Sequence, residues 1–446
     1  MKSLFKGISK CTAFAAILVA VISCADKTTE EKNDTYIDIA GALGKGRVIP
    51  LSEIAEDVTV IPLETRDSIL IADLPIVGSF VSYENGHIYL MDKTQTIWIF
   101  DKKGKFVNKF NRKGRGPGEF ILASGIEVEP ETGDIVVFVS DGKFYEYSKD
   151  GSFIRKTNSP KDDGFSTRIS RYGYKVNGNL YFISSEAMPV GDPKEKNEKY
   201  SVCAVTFDSL SNLKAKIFFP QKASDTIPVA SQSAQQVSVV KGTIISAVTP
   251  NASCFRYRDN IRIRYEFDNI ITTFNETAGH DTAYIINFGE FAPTRDYFSN
   301  PHVYDVTSEV ISVNNIMESD NYLFFSLNLR GLAHNPSKIT ETLPDGTKKT
   351  RKTTGSYALF NKKSGVFTLM DRPAGGNKKG FPDDISGGTV FWPKYISSED
   401  NLVSYFSALD FIEYAENNIV PEKIKKIAAK LDENDNPVIV LVKLKN

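Results

Sequence analysis

Long apolar runs are missing from this chain, and so are clusters of the residues that usually carry catalysis. Of its 446 residues only four are histidine and four are cysteine, and the histidines (His87, His280, His302, His334) lie far apart. No HExxH, CxxC or Cys/His cluster occurs, so the spacing supports neither a metal centre nor a bound cofactor. Charge of one sign is also missing: 54 Lys and Arg face 55 Asp and Glu. That balance argues against nucleic acid as a partner, because a general polyanion binder is clearly basic. No apolar stretch approaches the roughly 20 residues that span a bilayer. Aromatics and hydrophobics are plentiful, at 11% and 41%, which argues against disorder and for a substantial core. With 29 Phe and 30 Gly the composition leans towards β-structure.

The N-terminus carries Lys2, Lys6 and Lys10, then an apolar run over 12–22 that is too short to cross a membrane. This pattern reads as a secretory signal over residues 1–23. It ends in Val21-Ile22-Ser23-Cys24, which resembles the lipobox of bacterial lipoproteins and implies a lipid on Cys24 and attachment to a membrane. Removing the signal leaves 51 basic against 55 acidic residues, a formal charge of −4. The polar stretch that follows is expected to be a flexible tether over 24–45. Of the cysteines, Cys203 and Cys254 then remain, either as a disulfide or as two small buried hydrophobes.

The interior repeats. Asn85-Gly86-His87-Ile88 returns as Thr132-Gly133-Asp134-Ile135, and Gly104 and Phe106 return as Gly151 and Phe153, each 47 residues later without a gap. Every unit alternates apolar and polar residues between turn glycines, the pattern of short antiparallel strands. A period near 45 with several strands per unit predicts a β-propeller. Weaker units follow at 177–207, at 242–248 with 262–267, at 322–367 and at 388–442. A polar loop over 189–199 interrupts the third, and a basic insertion over 338–354 the fifth. Helices are expected over 402–417 and 421–431. Six units account for roughly 280 residues, so the expected fold is all-β: a six-bladed propeller of four-stranded antiparallel blades over 46–446, with short helices near the C-terminus. Strands near 58–63 and 438–442 are expected to share the last blade and close the ring.

Asn85 to Leu90, Phe100 to Phe106 and Gly114-Arg115-Gly116-Pro117-Gly118-Glu119-Phe120 resemble the six-bladed β-propeller lipoproteins of Bacteroidetes, which are related to NHL-repeat propellers. Ile61 to Thr65 and Asp435 to Leu441 match the ends of that family. The resemblance covers nearly the whole mature chain and implies a cell-envelope location, at the periplasmic or surface face of the outer membrane. It assigns no activity.

Candidate site residues are few. The 114–120 motif lacks the ending of a phosphate loop and reads first as a turn, which in NHL-like propellers joins one blade to the next. Its functional reading puts Arg112 and Arg115 on a carboxylate or sulfate. Arg256, Arg258, Arg262 and Arg264 alternate around an Asp259-Asn260 turn and are expected on one polar sheet face, either solvated or binding an acidic glycan or partner. Trp392 is open to core packing or to stacking on a sugar. The leading functional reading is a binding or scaffold protein for a glycan, peptide or envelope protein. The alternative is a propeller enzyme of lactonase or lyase type, with a metal in the central channel.

Overall fold

A computed structural model describes residues 36–445, apart from 76–79, 140–141, 161–167, 189–198, 219–236, 241–242, 247–251, 266–267, 276–279, 294–307, 335, 343–345 and 374–378. The signal segment, Cys24, the 189–198 part of the polar loop and His302 lie outside the described residues.

The chain begins with β1 (Tyr36–Asp38) and β2 (Ala55–Pro62). Blade 1 follows as β3 (Val81–Glu84), β4 (His87–Met91), β5 (Thr96–Asp101) and β6 (Phe106–Asn111). Blade 2 is β7 (Ala123–Val128), β8 (Ile135–Val139), β9 (Lys143–Tyr147) and β10 (Phe153–Asn158). Blade 3 is β11 (Arg168–Val176), β12 (Asn179–Met188), β13 (Lys199–Asp208) and β14 (Leu213–Phe218). A separate hairpin, β15 (Val237–Val240) and β16 (Thr243–Ser246), precedes blade 4. Blade 4 is β17 (Ala252–Tyr257), β18 (Asn260–Tyr265), β19 (Ile270–Phe274) and β20 (His280–Asn287). Blade 5 is β21 (Ser312–Glu318), β22 (Tyr322–Asn328), β25 (Gly355–Asn361) and β26 (Val366–Met370), with the hairpin β23 (Ser337–Thr342) and β24 (Lys348–Thr353) inserted. Blade 6 joins β27 (Tyr395–Ile396), β28 (Asn401–Phe406) and β29 (Val438–Leu444) to β2. The result is a ring of six four-stranded antiparallel blades, a β-propeller. Two α-helices are described, α1 (Ala408–Asn417) and α2 (Glu422–Ala428), both near the C-terminus.

Each blade is buried on both faces, which explains apolar runs such as Ile135 to Val139. Alternate residues of one strand serve different seams. Ile88, Leu90, Trp98 and Phe100 pack on Val403 and Ile439 of blade 6, whereas Tyr89, Met91, Ile97 and Ile99 pack on Ile126 and Val128 of blade 2. The same rule holds at every seam, giving six apolar clusters for six blade pairs. The repeated glycines have a matching role. Gly104 (φ 79°) and Gly151 (φ 86°) turn the two outer strands of their blades against the preceding blade. A Cβ would meet the Pro62 carbonyl oxygen at 2.4 Å in the first and the Phe110 ring at 2.7 Å in the second. Glycine is required at both by close approach as well as by positive φ.

Four expectations change. Residues 36–45 are not tether: Ile37 and Ile39 are fully buried, and β1 extends blade 4 in parallel with β20. Arg47 then bridges to Met370 of blade 5, and β2 runs antiparallel to β29 of blade 6. The segment is therefore a belt along the outer edges of three successive blades. The fourth blade opens at Ala252 rather than near 242: β17, the first of the two strands expected around the arginine turn, is its inner strand. Residues 401–406 are strand, and the helix starts after Ser407, whose side chain caps it by accepting from the Asp410 N–H at 3.0 Å. The inner strand of blade 6 is β27, while Phe391 makes only a bridge to Phe381.

Candidate functional site

The inner strands β3, β7, β11, β17, β21 and β27 surround the axis, and all run in one direction. Five of them carry an ionisable side chain at or next to the C-terminal end: Glu84, Glu127, Lys175, Arg256 and Glu318. Arg256 Nη1 donates to Glu127 Oε1 at 3.0 Å, reaching from blade 4 past blade 3 to blade 2. The backbone N–H of Lys175 donates to the other Glu127 oxygen at 2.6 Å. The Lys175 ammonium donates to Glu146 at 2.8 Å and lies 3.4 Å from Glu129. Glu84 accepts from the Tyr395 hydroxyl at 2.6 Å and from the Ser398 N–H at 2.9 Å. Two groups result at this end of the axis: one ties blades 2, 3 and 4, the other blades 1 and 6.

Burial dominates its electrostatics. It pushes the Glu127 carboxyl up to about 7, against the lowering effect of Arg256 and of the Lys175 N–H. It also raises Glu84 and the Tyr395 hydroxyl. A carboxyl near 7 has the value of a general acid or base. Glu127 is only 6% exposed, however, and both its oxygens are already engaged, which is the arrangement of a structural ion pair. The folded state holds this proton more tightly than the unfolded chain, where the carboxyl titrates at 4.5. The stabilisation from Glu127 is thus complete below that pH and is lost as pH rises through about 7, a change of about 3 kcal/mol. Urea melts at pH 5 and pH 8 should show a steeper loss in the wild type than in Glu127→Gln. Equal slopes would remove Glu127 as the cause.

The four expected arginines do not share a face. A two-residue turn, Arg258-Asp259, pairs Arg256 with Ile261 and Phe255 with Arg262. Any two-residue loop pairs an even with an odd position, so Arg256 points towards blade 3 while Arg262 and Arg264 point towards blade 5. Arg262 donates to buried Glu318 at 3.2 Å, beside the Tyr284 hydroxyl at 2.8 Å and the Lys362 ammonium at 2.7 Å. Arg258 holds Asp320 through two bonds, 2.9 and 2.7 Å, and Arg264 is buried over the Phe288 ring. The patch expected for an acidic glycan is neutralised from within.

Arg112 and Trp392 are likewise occupied. Arg112 donates twice to the Gly151 carbonyl, at 3.2 and 2.7 Å, clamping blade 2 to the outer strand of blade 1. Trp392 stacks on Tyr357 at 3.8 Å and lies nearly parallel to Phe381, within the seam of blades 5 and 6. Arg115 is different. It stands exposed at a depression of ≈ 230 Å³ on the face where the inner strands begin. The 112–120 turn that carries it joins blade 1 to blade 2, and is closed by Gly114 N–H to Phe120 O and Phe120 N–H to Arg112 O, both at 2.9 Å. Cys254 is a buried free thiol, whose pKa burial raises; the side chain of Cys203 lies outside the description.

His87 sits between the Asn85 carbonyl at 2.8 Å and the Lys149 ammonium at 2.6 Å. Among the described residues no three His, Cys, Asp or Glu side chains are grouped to hold a metal. The axial cluster was not foreseen, because its members are single residues about one blade apart. Their common position near the end of each inner strand was the available signal.

A family model described as a domain of unknown function (DUF4934) matches residues 34–443. Among solved structures, a Bacteroides fragilis protein described as a candidate exported protein is similar at 20% identity with a TM-score of 0.59, over 92% of this chain and 100% of that one. A Bacteroides vulgatus member of the DUF4221 family is similar at 14% identity with a TM-score of 0.48, over 88% and 97% of the two chains. No curated protein matches.

Proposed function

The chain belongs to the DUF4934 family, and for this member we propose a non-catalytic role: a lipid-anchored propeller of the cell envelope that binds a glycan, peptide or partner protein. The observation that carries this reading is the Glu127–Arg256 bond across the axis. It spends on each other the charged groups that a lactonase or lyase of this shape would need at its channel. Binding then falls to the opposite face, where the long connections gather. The 112–122 loop, the β23–β24 hairpin and the two helices all lie there, whereas the other face is made of short turns such as Asn85-Gly86 and Asn177-Gly178. Long loops on a rigid scaffold are where recognition surfaces are usually built.

The location rests on the lipobox-like Val21 to Cys24 and on the likeness to a candidate exported protein. Cys24 is the proposed lipidation site and the proposed membrane attachment, at the outer membrane. Replacing Cys24 with Ser is expected to leave the protein unprocessed or to release it from membranes, read by lipid labelling and fractionation. A Cys24→Ser protein that is still lipid-labelled and membrane-bound would refute the anchor. For the binding role, ligands captured by the purified full chain should be returned with unchanged mass, whereas a converted ligand would favour the enzyme.

A further inference from the structure

We infer that the two C-terminal helices form a contact between two copies of this chain, α1 of each copy lying against α2 of the other. The inference goes beyond the binding role above and does not depend on it. Both helices bury one side in the seam of blades 5 and 6, α1 through Phe411 and Ala415 and α2 through Ile424 and Ala428. Their outward sides differ in sign. On α1, Leu409, Glu413 and Glu416 follow one another at i, i+4 and i+7 and so share one exposed stripe. On α2, Lys423 and Lys426 share a stripe at i and i+3, with Lys425 beside them. Lys430 stands in the turn that follows, and all four lysines are exposed.

The two helices adjoin, yet these charges do not meet. Among the described residues the side chains of Glu413, Glu416, Lys423, Lys425 and Lys430 form no ion pair. Lys426 reaches only Glu422 of its own helix, at 3.8 Å and with side chains 71% and 70% exposed, a pair that contributes little. An acidic and a basic stripe side by side, each unmet within the chain, make a surface complementary to itself about a two-fold axis. One rotation brings α1 of either copy onto α2 of the other, so both charge contacts form together. An outside partner would have to carry the same two stripes in the same arrangement, whereas a second copy carries them by construction. Apolar side chains accompany the charges. Ile419, in the link between the helices, is the most exposed of the large apolar residues described, and Leu409 is 44% exposed. They supply the apolar contact that charged stripes alone lack. With helices of 10 and 7 residues the contact is small, so the dimer is expected to be weak and sensitive to salt.

Sedimentation equilibrium on the purified full chain tests this through paired charge reversals. The wild type should dimerise at low salt and dissociate as salt is added. Glu413→Lys with Glu416→Lys makes the surface basic throughout, and Lys423→Glu with Lys426→Glu and Lys430→Glu makes it acidic throughout. Each variant alone should dimerise about tenfold or more weakly than the wild type. An equimolar mixture of the two should recover the wild-type association, because every basic helix then meets an acidic one. Ile419→Ser should weaken the dimer while leaving its salt dependence in place. Melting temperatures should stay near that of the wild type, since none of these side chains supports the fold. The assignment is overturned if the wild type is a monomer at every concentration and salt, or if both charge variants dimerise as it does. It is overturned also if the mixture associates no better than its components, or if Ile419→Ser dimerises as tightly as the wild type. A monomeric chain would leave the binding role untouched, and a failure to capture any ligand would leave the dimer untouched.

Discussion

Removing the chain from Pro437 onward is expected to unfold the whole propeller rather than one blade. β29 lies between β28 and β2, and it buries Val438, Ile439, Val440, Val442 and Leu444. Burial of five such side chains contributes on the order of 10 kcal/mol, comparable with the about 5–15 kcal/mol of net stability of a typical domain. The loss is not confined to one sheet. Without β29, β2 has no partner in blade 6, and the belt that continues from it along blades 5 and 4 loses its end. Two seams then open together, because Val438 and Ile439 face blades 5 and 1 respectively. Thermal and urea melts followed by circular dichroism should show loss of the cooperative transition. An unchanged cooperative melt would show that the terminal strand is an appendage.

Arg256→Ala is expected to have the second-largest effect. Arg256 joins blade 4 to blade 2 through Glu127, and its Nε donates to the Arg258 carbonyl at 2.9 Å. Truncation leaves a buried carboxylate facing no cation, which costs about 3–5 kcal/mol. The cost depends on pH in a specified direction. Glu127 already titrates near 7, and without Arg256 it rises further, so protonation at pH 5 relieves the defect while pH 8 exposes it fully. The double variant Arg256→Met with Glu127→Leu removes both charges and should recover most of the stability, because an apolar pair in the same volume needs no counter-ion. A single variant as stable as the wild type at pH 8 would show that the cross-axis bond contributes nothing. A double variant no better than Arg256→Ala would place the loss in packing instead of charge.

Local patterning made much of the architecture legible. The recurrence of Gly86 at Gly133 and of Gly104 at Gly151 marks turns that demand positive φ, and positive φ is a property of single residues. Alternation between those turns predicts the strands, and their spacing predicts the blades. It failed where both faces of a strand are buried, as in 401–406. There an apolar run fits a strand or a helix equally well.

The site residues were named from the sequence, but their roles could not be. Arginine side chains have the same chemistry whether they meet solvent, a ligand or a buried glutamate, and only position chooses among these. Arg256 and Arg262 are six residues apart, yet they serve different seams because one turn sets the parity of their pairing. Arg112 and Arg115 sit in one motif, yet the first is held by the Gly151 carbonyl and the second stands open to solvent. Trp392 meets Tyr357 only because blade 5 closes on blade 6. By itself the sequence determined the turns, the strand alternation and the blade repeat, all of which depend on neighbours a few residues away. The tertiary structure alone decided which charges cancel and where the belt runs. Those outcomes depend on partners one or more blades distant, and no local pattern encodes the distance between them.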